Sequence, residues 1–344
     1  MHMSIQNILN GLIEKRDLST EEMVAVMHQI MGGELTPAQI AAILVGLRCK
    51  GESIVELTAA AKVMRELATK VEIPDTPNLI DTCGTGGDGV STFNISTAAC
   101  LVAAAAGAKV AKHGGRSVSS TCGSADVLEA LGVNVNLSPI QVAQCINEIG
   151  VGFMFAPNYH GAMKYAAPVR KELEVRTLFN LLGPMTNPAG AKRQLIGVFH
   201  RDLTLKFALV LQALGSRHAM IVHGADGLDE ISINGATYVA ELRDNKIIEH
   251  SFTPEHFGIN SKLLSAIRVT NLGDAKAMLL SALENQSGAA KDIVALNAGA
   301  AIYIAGRTKT IQEGVKMALE VLASGAAKAK LADLVELSNR LCAN

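Results

Sequence analysis

Asp81-Thr82-Cys83-Gly84-Thr85-Gly86-Gly87-Asp88, with Asn94-Ile95-Ser96-Thr97 close behind, is the stretch on which the chain turns. The apolar Leu79-Ile80 ahead of it reads as the end of a short buried strand. Behind it, Ala98 to Ala106 favours helix at almost every position. A strand, a glycine loop and a helix start in succession form an anion-binding arrangement. Glycines let backbone N–H groups approach without a Cβ in the way, and the helix N-terminus adds free donors at the positive end of its dipole. Many glycine loops are only tight turns, so the neighbouring residues decide. A carboxylate such as Asp88 repels a phosphate unless it meets a sugar hydroxyl or works with a metal, so the loop fits a phosphorylated sugar. No Gly-Lys-Ser/Thr follows, which rules out a Walker loop. Nor does a G-x-G-x-x-G run straight into the helix, as a dinucleotide fingerprint would.

Outward from the loop the chain divides. The first seventy residues predict helix, opening with Ile5 to Glu14. Ser19 with Glu22, Thr36 with Gln39, and Ser53 with Glu56 are capping-box signals ahead of periodic apolar segments. Pro37 sits at a first helical position, and Gly32-Gly33 and Gly51 mark helix ends. The exposed apolar residues of this bundle read equally as core or as a dimer surface. Pro74-Asp75-Thr76-Pro77 is a linker, after which the pattern becomes α/β. Apolar runs at Lys109–Ala111, Val133–Leu137, Gly152–Ala156, Leu195–Phe199 and Ala219–His223 alternate with helical segments. That alternation predicts a mostly parallel central sheet with helices on both faces. Tyr159 to Leu182 interrupts it with a long, polar-rich helical pattern closed by Gly183-Pro184-Met185-Thr186-Asn187-Pro188. We read this as an excursion back toward the bundle. Thr237–Leu242 and Ile247–Phe252 predict an antiparallel hairpin at the sheet edge, and from Asp274 the chain is helical again. The expected architecture is α/β: a small helical-bundle domain over 1–73, joined by the excursion around 160–190, and a larger α/β domain over 78–344.

Composition narrows the classes. The chain has 344 residues, 49% hydrophobic but only 3% aromatic and without Trp, so its core must be aliphatic. Lys+Arg 31 against Asp+Glu 32 leaves no global field for nucleic acid or anionic lipid, and any basic site must be local. Six scattered cysteines with no C-x-x-C pair argue against zinc and a disulfide scaffold and favour a reducing cytoplasm. The apolar run Ala98 to Ala108 falls short of the ~20 residues a membrane span needs. No signal peptide is expected, and Met1-His2-Met3 is set aside from the fold argument.

Three further constellations carry chemistry. Lys112-His113-Gly114-Gly115-Arg116-Ser117-Val118-Ser119-Ser120, with Ser124 just beyond, follows an apolar strand run. Cations, hydroxyls and glycines together suit a phosphate-rich ligand, though Lys112 or Arg116 alone would read as a solvated loop residue. Gly224-Ala225-Asp226-Gly227-Leu228-Asp229-Glu230 follows another strand run. Carboxylates at a strand end usually make a polar turn, and Asp226 fits that role. Beside a pyrophosphate site, however, Asp229 and Glu230 become Mg²⁺ ligands, with Ser96 as the hydroxyl ligand. Last, Arg170 after Pro168 could fork onto a small carboxylate, or pair with Glu172 or Glu174.

Taken together, these motifs occur in the order and spacing of the anthranilate phosphoribosyltransferase family, which the chain resembles over essentially its whole length. The resemblance implies a cleft between the two domains, a cytoplasmic homodimer joined through the helical domains, and no nucleic-acid or membrane partner. It implies that Gly84, Gly87, Asp88, Thr92, Asn94, Ile95, Ser96, Thr97, the run Lys112 to Ser120, and Ser124 hold phosphoribosyl pyrophosphate. Ser96 and Glu230 would hold one Mg²⁺, and Asp229 and Glu230 a second, giving two per monomer. Arg170 and the Gly84 backbone would meet anthranilate, with His113 and His160 lining its path, and no residue acts as a general acid or base. One departure stands out: after Lys-His-Gly the family commonly has an Asn that contacts anthranilate, and here the residue is Gly115. Two alternatives remain at this point. A pyrimidine nucleoside phosphorylase shares a similar Lys-His-Gly stretch but does not need paired metal carboxylates. A non-enzymatic nucleic-acid-binding relative would want a basic surface.

Overall fold

The computed structural model describes residues 4–74, 76–116 and 122–343. The chain opens with α1 (Ile5–Ile13), α2 (Thr20–Gly32), α3 (Pro37–Lys50) and α4 (Ile54–Leu67). All three expected capping boxes form, at Ser19, Thr36 and Ser53, and Gly33 ends α2 in the left-handed conformation that glycine adopts most readily. The buried Glu56 does more than cap. Its carboxylate also accepts from Leu18 N–H at 2.8 Å and from Lys50 Nζ at 2.9 Å, so an otherwise costly buried charge is satisfied.

The α/β part runs β1 (Ile80–Gly84), α5 (Ile95–Ala105), β2 (Val110–Gly114), α6 (Ser124–Ala130), α7 (Pro139–Ile149) and β3 (Val151–Phe155). The excursion follows as α8 (Ala156–Tyr159), α9 (Ala167–Leu173) and α10 (Leu178–Leu182). The chain returns through β4 (Arg193–Gly197), α11 (Leu203–Ala213), β5 (His218–Gly224), β6 (Thr237–Arg243) and β7 (Lys246–Phe252). It closes with α12 (Leu272–Leu283), α13 (Ala289–Ile304), α14 (Ile311–Ala323) and α15 (Ala326–Cys342). The sheet order is β3-β2-β1-β4-β5-β6-β7, parallel from β3 to β5, with the predicted β6–β7 hairpin antiparallel at the edge. Strand alternation sends Met220 and Val222 into a core with α5 and α12–α15. It sends Ala219 and Ile221 into a second core with the bundle and α11. Helices therefore cover both faces. None of those described is long and apolar enough to cross a membrane.

Two expectations are corrected. Val133–Leu137 is extended but is not a strand. Val133, Val135 and Leu137 are buried, yet Asn134 N–H bonds the Ser338 hydroxyl of α15 and Asn136 N–H bonds the Asn134 side chain, so no sheet neighbour is engaged. Tyr159 to Leu182 is not one long helix. Gly161, Pro168 and a left-handed Glu174 (φ 53°) divide it into short pieces. Its apolar residues Val169, Leu178, Phe179 and Leu182 do return to the bundle's core, and Arg65 of α4 holds the Met185 carbonyl at 2.6 Å.

Candidate functional site

The chain travels from β1 outward through β2 to β3, then crosses to the other side of β1 for β4. In open parallel sheets a ligand crevice forms beyond the strand ends at such a reversal. Here that point is Gly84 of β1 beside Gly197 of β4. The glycines are required by close approach. A Cβ on Gly84 would lie 2.7 Å from Asp229 Oδ2, and one on Gly197 would lie 1.4 Å from the Asp229 carbonyl oxygen. Gly86 and Gly87 hold φ of 64° and 75°, which turns the loop back over Asp229. Gly86 N–H donates to Asp229 Oδ2 at 2.8 Å, Thr85 N–H to the Gly197 carbonyl at 2.9 Å, and Asp88 accepts from Val90 N–H at 3.0 Å. The glycine loop and the Asp229-Glu230 turn thus form one unit.

Beneath it lies a charge cluster. Glu230 accepts from Ser96 N–H at 3.1 Å in the first turn of α5, where a carboxylate suits the helix dipole. Lys112 is only 2% exposed, and its Nζ donates to the Thr82 carbonyl at 2.6 Å and the Ser96 hydroxyl at 3.2 Å. Loss of solvent, and then the charge of Asp88, hold the Asp229 carboxyl above the ordinary range; loss of solvent and then Asp229 do the same to Glu230. Asp88, Asp229 and Glu230 crowd together near the buried Lys112, with the Ser96 hydroxyl beside it. That donor set fits a divalent cation, which relieves the repulsion with oxygen ligands. The described residues contain no group of three or more His, Cys, Asp or Glu that closes on a metal by itself. Two carboxylates and a hydroxyl leave the remaining coordination positions to substrate oxygens and water. Asp226 stands apart, accepting from the Ser232 hydroxyl at 2.7 Å, as a turn-shaping residue does.

The other expected residues gather less uniformly. Thr97 donates to Ser124 at 3.1 Å, and Asn94 bridges to the Cys122 carbonyl at 3.1 Å, which ties the start of α5 to α6. Thr92 bridges to Arg268. Ile95 is a core side chain, and its N–H is taken by the Phe93 carbonyl. Arg116 is held by Asp126 and Glu129 and lies over the Phe155 ring. Ser117, Val118, Ser119 and Ser120 lie outside the described residues. His113 and His160 meet edge to face at 5.3 Å, each with a buried Nε2 that has no hydrogen-bond partner among the described residues. Burial lowers their pKa values to about 3 and about 4, so both are neutral. Arg170 is half-buried over the Phe179 ring, with no carboxylate in reach among the described residues, so the pairing with Glu172 or Glu174 does not form. Its charge is available to a ligand.

Sequence reasoning missed two supports. Arg176 stacks 4.1 Å over Phe199 and donates to the Gly87 carbonyl, pinning the loop. Asn187 donates to Asp81 Oδ2 at 2.7 Å and to the Ala111 carbonyl at 2.9 Å, satisfying a fully buried carboxylate behind β1 and β2. The Thr186-Asn187-Pro188 turn was the available signal for the second; for Arg176 there was none.

Comparison with known proteins places this geometry. Family models described as the glycosyl transferase family a/b domain and helical bundle domain match residues 76–328 and 6–68. An anthranilate phosphoribosyltransferase of Nitrosomonas eutropha is 60% identical over 98% of this chain and 99% of its own. The enzyme of that name from Laribacter hongkongensis is likewise 60% identical, over 98% and 99%. Among solved structures, anthranilate phosphoribosyltransferase from Thermus thermophilus is 43% identical with a TM-score of 0.91, covering 96% of this chain and 99% of that one. The one from Saccharomyces cerevisiae, solved in complex with PRPP (phosphoribosyl pyrophosphate) and Mg, is 25% identical with a TM-score of 0.89, covering 99% and 100%.

Proposed function

We propose a division of labour for this chain, which belongs to the anthranilate phosphoribosyltransferase family. The enzyme transfers the phosphoribosyl group of phosphoribosyl pyrophosphate to the amine of anthranilate in tryptophan biosynthesis. The phosphorylase and nucleic-acid alternatives give way to that identity. The crevice beyond β1 and β4 takes phosphoribosyl pyrophosphate, with Asp88 toward the ribose and Gly84, Gly87 and the residues Thr92 to Thr97, Lys112 to Ser120 and Ser124 around it. Ser96 and Glu230 would hold one Mg²⁺, and Asp229 and Glu230 a second. The ions would supply neutralisation of the departing pyrophosphate. Lys112 adds a fixed positive charge below the same oxygens, and its burial makes that charge count for more than in water.

Arg170 and the Gly84 backbone take the anthranilate carboxylate, with the neutral rings of His113 and His160 lining the approach. The acceptor amine is an aniline, already unprotonated near pH 7, so positioning replaces base catalysis. This agrees with two buried histidines that stay uncharged. The bundle over 1–73 with the excursion around 160–190, and the α/β unit over 78–344, form the two walls of the cleft. The chain acts in the cytoplasm as a homodimer joined through its bundle, and the exposed apolar side chains on the bundle support the dimer.

The observation that carries the reading is the Gly84–Gly86 loop latched to Asp229 above Lys112. The test is loss of anthranilate fluorescence on adding phosphoribosyl pyrophosphate and Mg²⁺. Turnover is expected, and excess chelator should abolish it. Undiminished turnover in chelator would overturn the metal assignment.

A further inference from the structure

At the opposite end of the sheet from the catalytic loops lies a cavity of about 670 Å³ that the reaction does not use. β4 enters it at Arg193, β5 at His218, and β6 leaves the sheet there at Arg243. β5 alone separates it from the catalytic crevice by seven residues, on the order of 20 Å. Its lining is cationic in a chain whose net charge is −1. Arg193, Arg217, Arg243 and Lys309 converge from separate segments, against Asp244 as the only carboxylate of the lining among the described residues. Glu241, just beneath, is already engaged by His218 Nε2 at 2.8 Å and by the Tyr303 hydroxyl at 2.8 Å.

Two buried polar atoms in this wall have no hydrogen-bond partner among the described residues, Arg193 Nε and Ser216 Oγ. Arg193 is anchored through Nη1 to the Ile304 carbonyl at 2.7 Å, which fixes its guanidinium. Arg217 and Lys309 are exposed and, among the described residues, form no ion pair. Arg243 donates to the Tyr303 hydroxyl at 3.0 Å and pairs through Nε with Asp244 Oδ2 at 3.6 Å, which leaves Arg193, Arg217 and Lys309 without a carboxylate partner among the described residues. Gathering like charges is unfavourable, and the proximity of Arg217 and Arg243 helps depress Arg193, after burial itself. Such an arrangement persists at little net cost when an anion compensates it.

We propose that this cavity is a second anion site, built to take a polyphosphate chain. Four cations spread around a rim match several charges in a row better than one carboxylate. The volume falls in the ~300–1,000 Å³ range of small-molecule sites, larger than a single phosphate needs. A free polyphosphate and the triphosphate of a nucleotide share this chemistry.

The test is calorimetric titration of the full-length protein with inorganic tripolyphosphate, without Mg²⁺, alongside the double variant Arg217→Glu with Lys309→Glu. Both side chains are exposed, so the fold should hold. Arg217→Gln with Lys309→Gln serves as a milder pair. The wild type should bind one more equivalent than either variant, or bind it at least about tenfold more tightly, and the difference should shrink in high salt. Turnover of anthranilate should be the same in all three. Equal stoichiometry and affinity for wild type and variants would overturn the proposal. ATP in place of tripolyphosphate identifies the source: tighter binding assigns the site to a nucleotide, weaker binding to a free polyphosphate.

Discussion

At the scale of single residues, Glu230 and Asp226 sit four positions apart in one turn but in different chemistry. Glu230 faces Ser96, Lys112 and Asp229, while Asp226 is spent on Ser232 and the Leu228 N–H. Glu230→Gln should lower kcat by roughly two to three orders of magnitude, a few kcal/mol of transition-state stabilisation. Asp226→Asn should stay within about tenfold of the parent, and equal losses in steady-state kinetics would refute this division. Gly115 is the other informative residue. It does not adopt a left-handed φ, and among the described residues nothing lies within 4 Å of where its Cβ would stand. No described residue therefore requires glycine at this position on steric grounds. One neutral hydrogen bond contributes about 1 kcal/mol, so Gly115→Asn should lower the anthranilate KM roughly fivefold with little change in kcat. An unchanged or higher KM would mean that another group already supplies that contact.

At the scale of elements, the site depends on two strand ends meeting without side chains between them. Gly197→Ala would drive a methyl group into the Asp229 carbonyl, which is backbone and cannot turn aside. It should cost about 3 kcal/mol or more in urea unfolding, and displace Asp229 as well. Gly235→Ala, whose Cβ meets nothing within 4 Å, is the control and should shift stability by less than about 1 kcal/mol. This interlock also shows what the sequence could and could not disclose. Capping boxes at Ser19, Thr36, Ser53 and Thr310 are local: donor and acceptor are three residues apart, so the pattern is the structure. The glycine loop was legible as a tight loop because close approach at Gly84 and left-handed φ at Gly86 and Gly87 demand its composition. Val133–Leu137 misled because an extended apolar run becomes a strand only if a neighbour offers its edge, and the partner it finds is helix α15, two hundred residues on. The latch from Gly86 to Asp229 and the pairing of Asn187 with Asp81 span 143 and 106 residues, beyond any periodicity.

At the scale of the whole molecule, the two cores divide the work. One locks α5 and α12–α15 onto one face of the sheet, and the other fastens the bundle to β4, β5 and the excursion. The bundle still carries Ile13, Val45, Ile54, Val55 and Leu67 exposed to solvent. Isolated exposed apolar residues need no explanation, but several on one small helical unit are what a subunit contact would cover. Ile54 and Val55 form the first two positions of α4, directly after the Ser53 cap. Aspartate there complements the helix dipole by roughly 0.3–1 kcal/mol, so Ile54→Asp with Val55→Asp should leave the fold intact while placing two charges in an apolar contact. In sedimentation at micromolar concentration the parent should run at twice the chain mass and the double variant at the chain mass. Their circular dichroism should superimpose. A variant that still sediments as a dimer would move the interface away from the start of α4, and a monomeric parent would remove the dimer altogether.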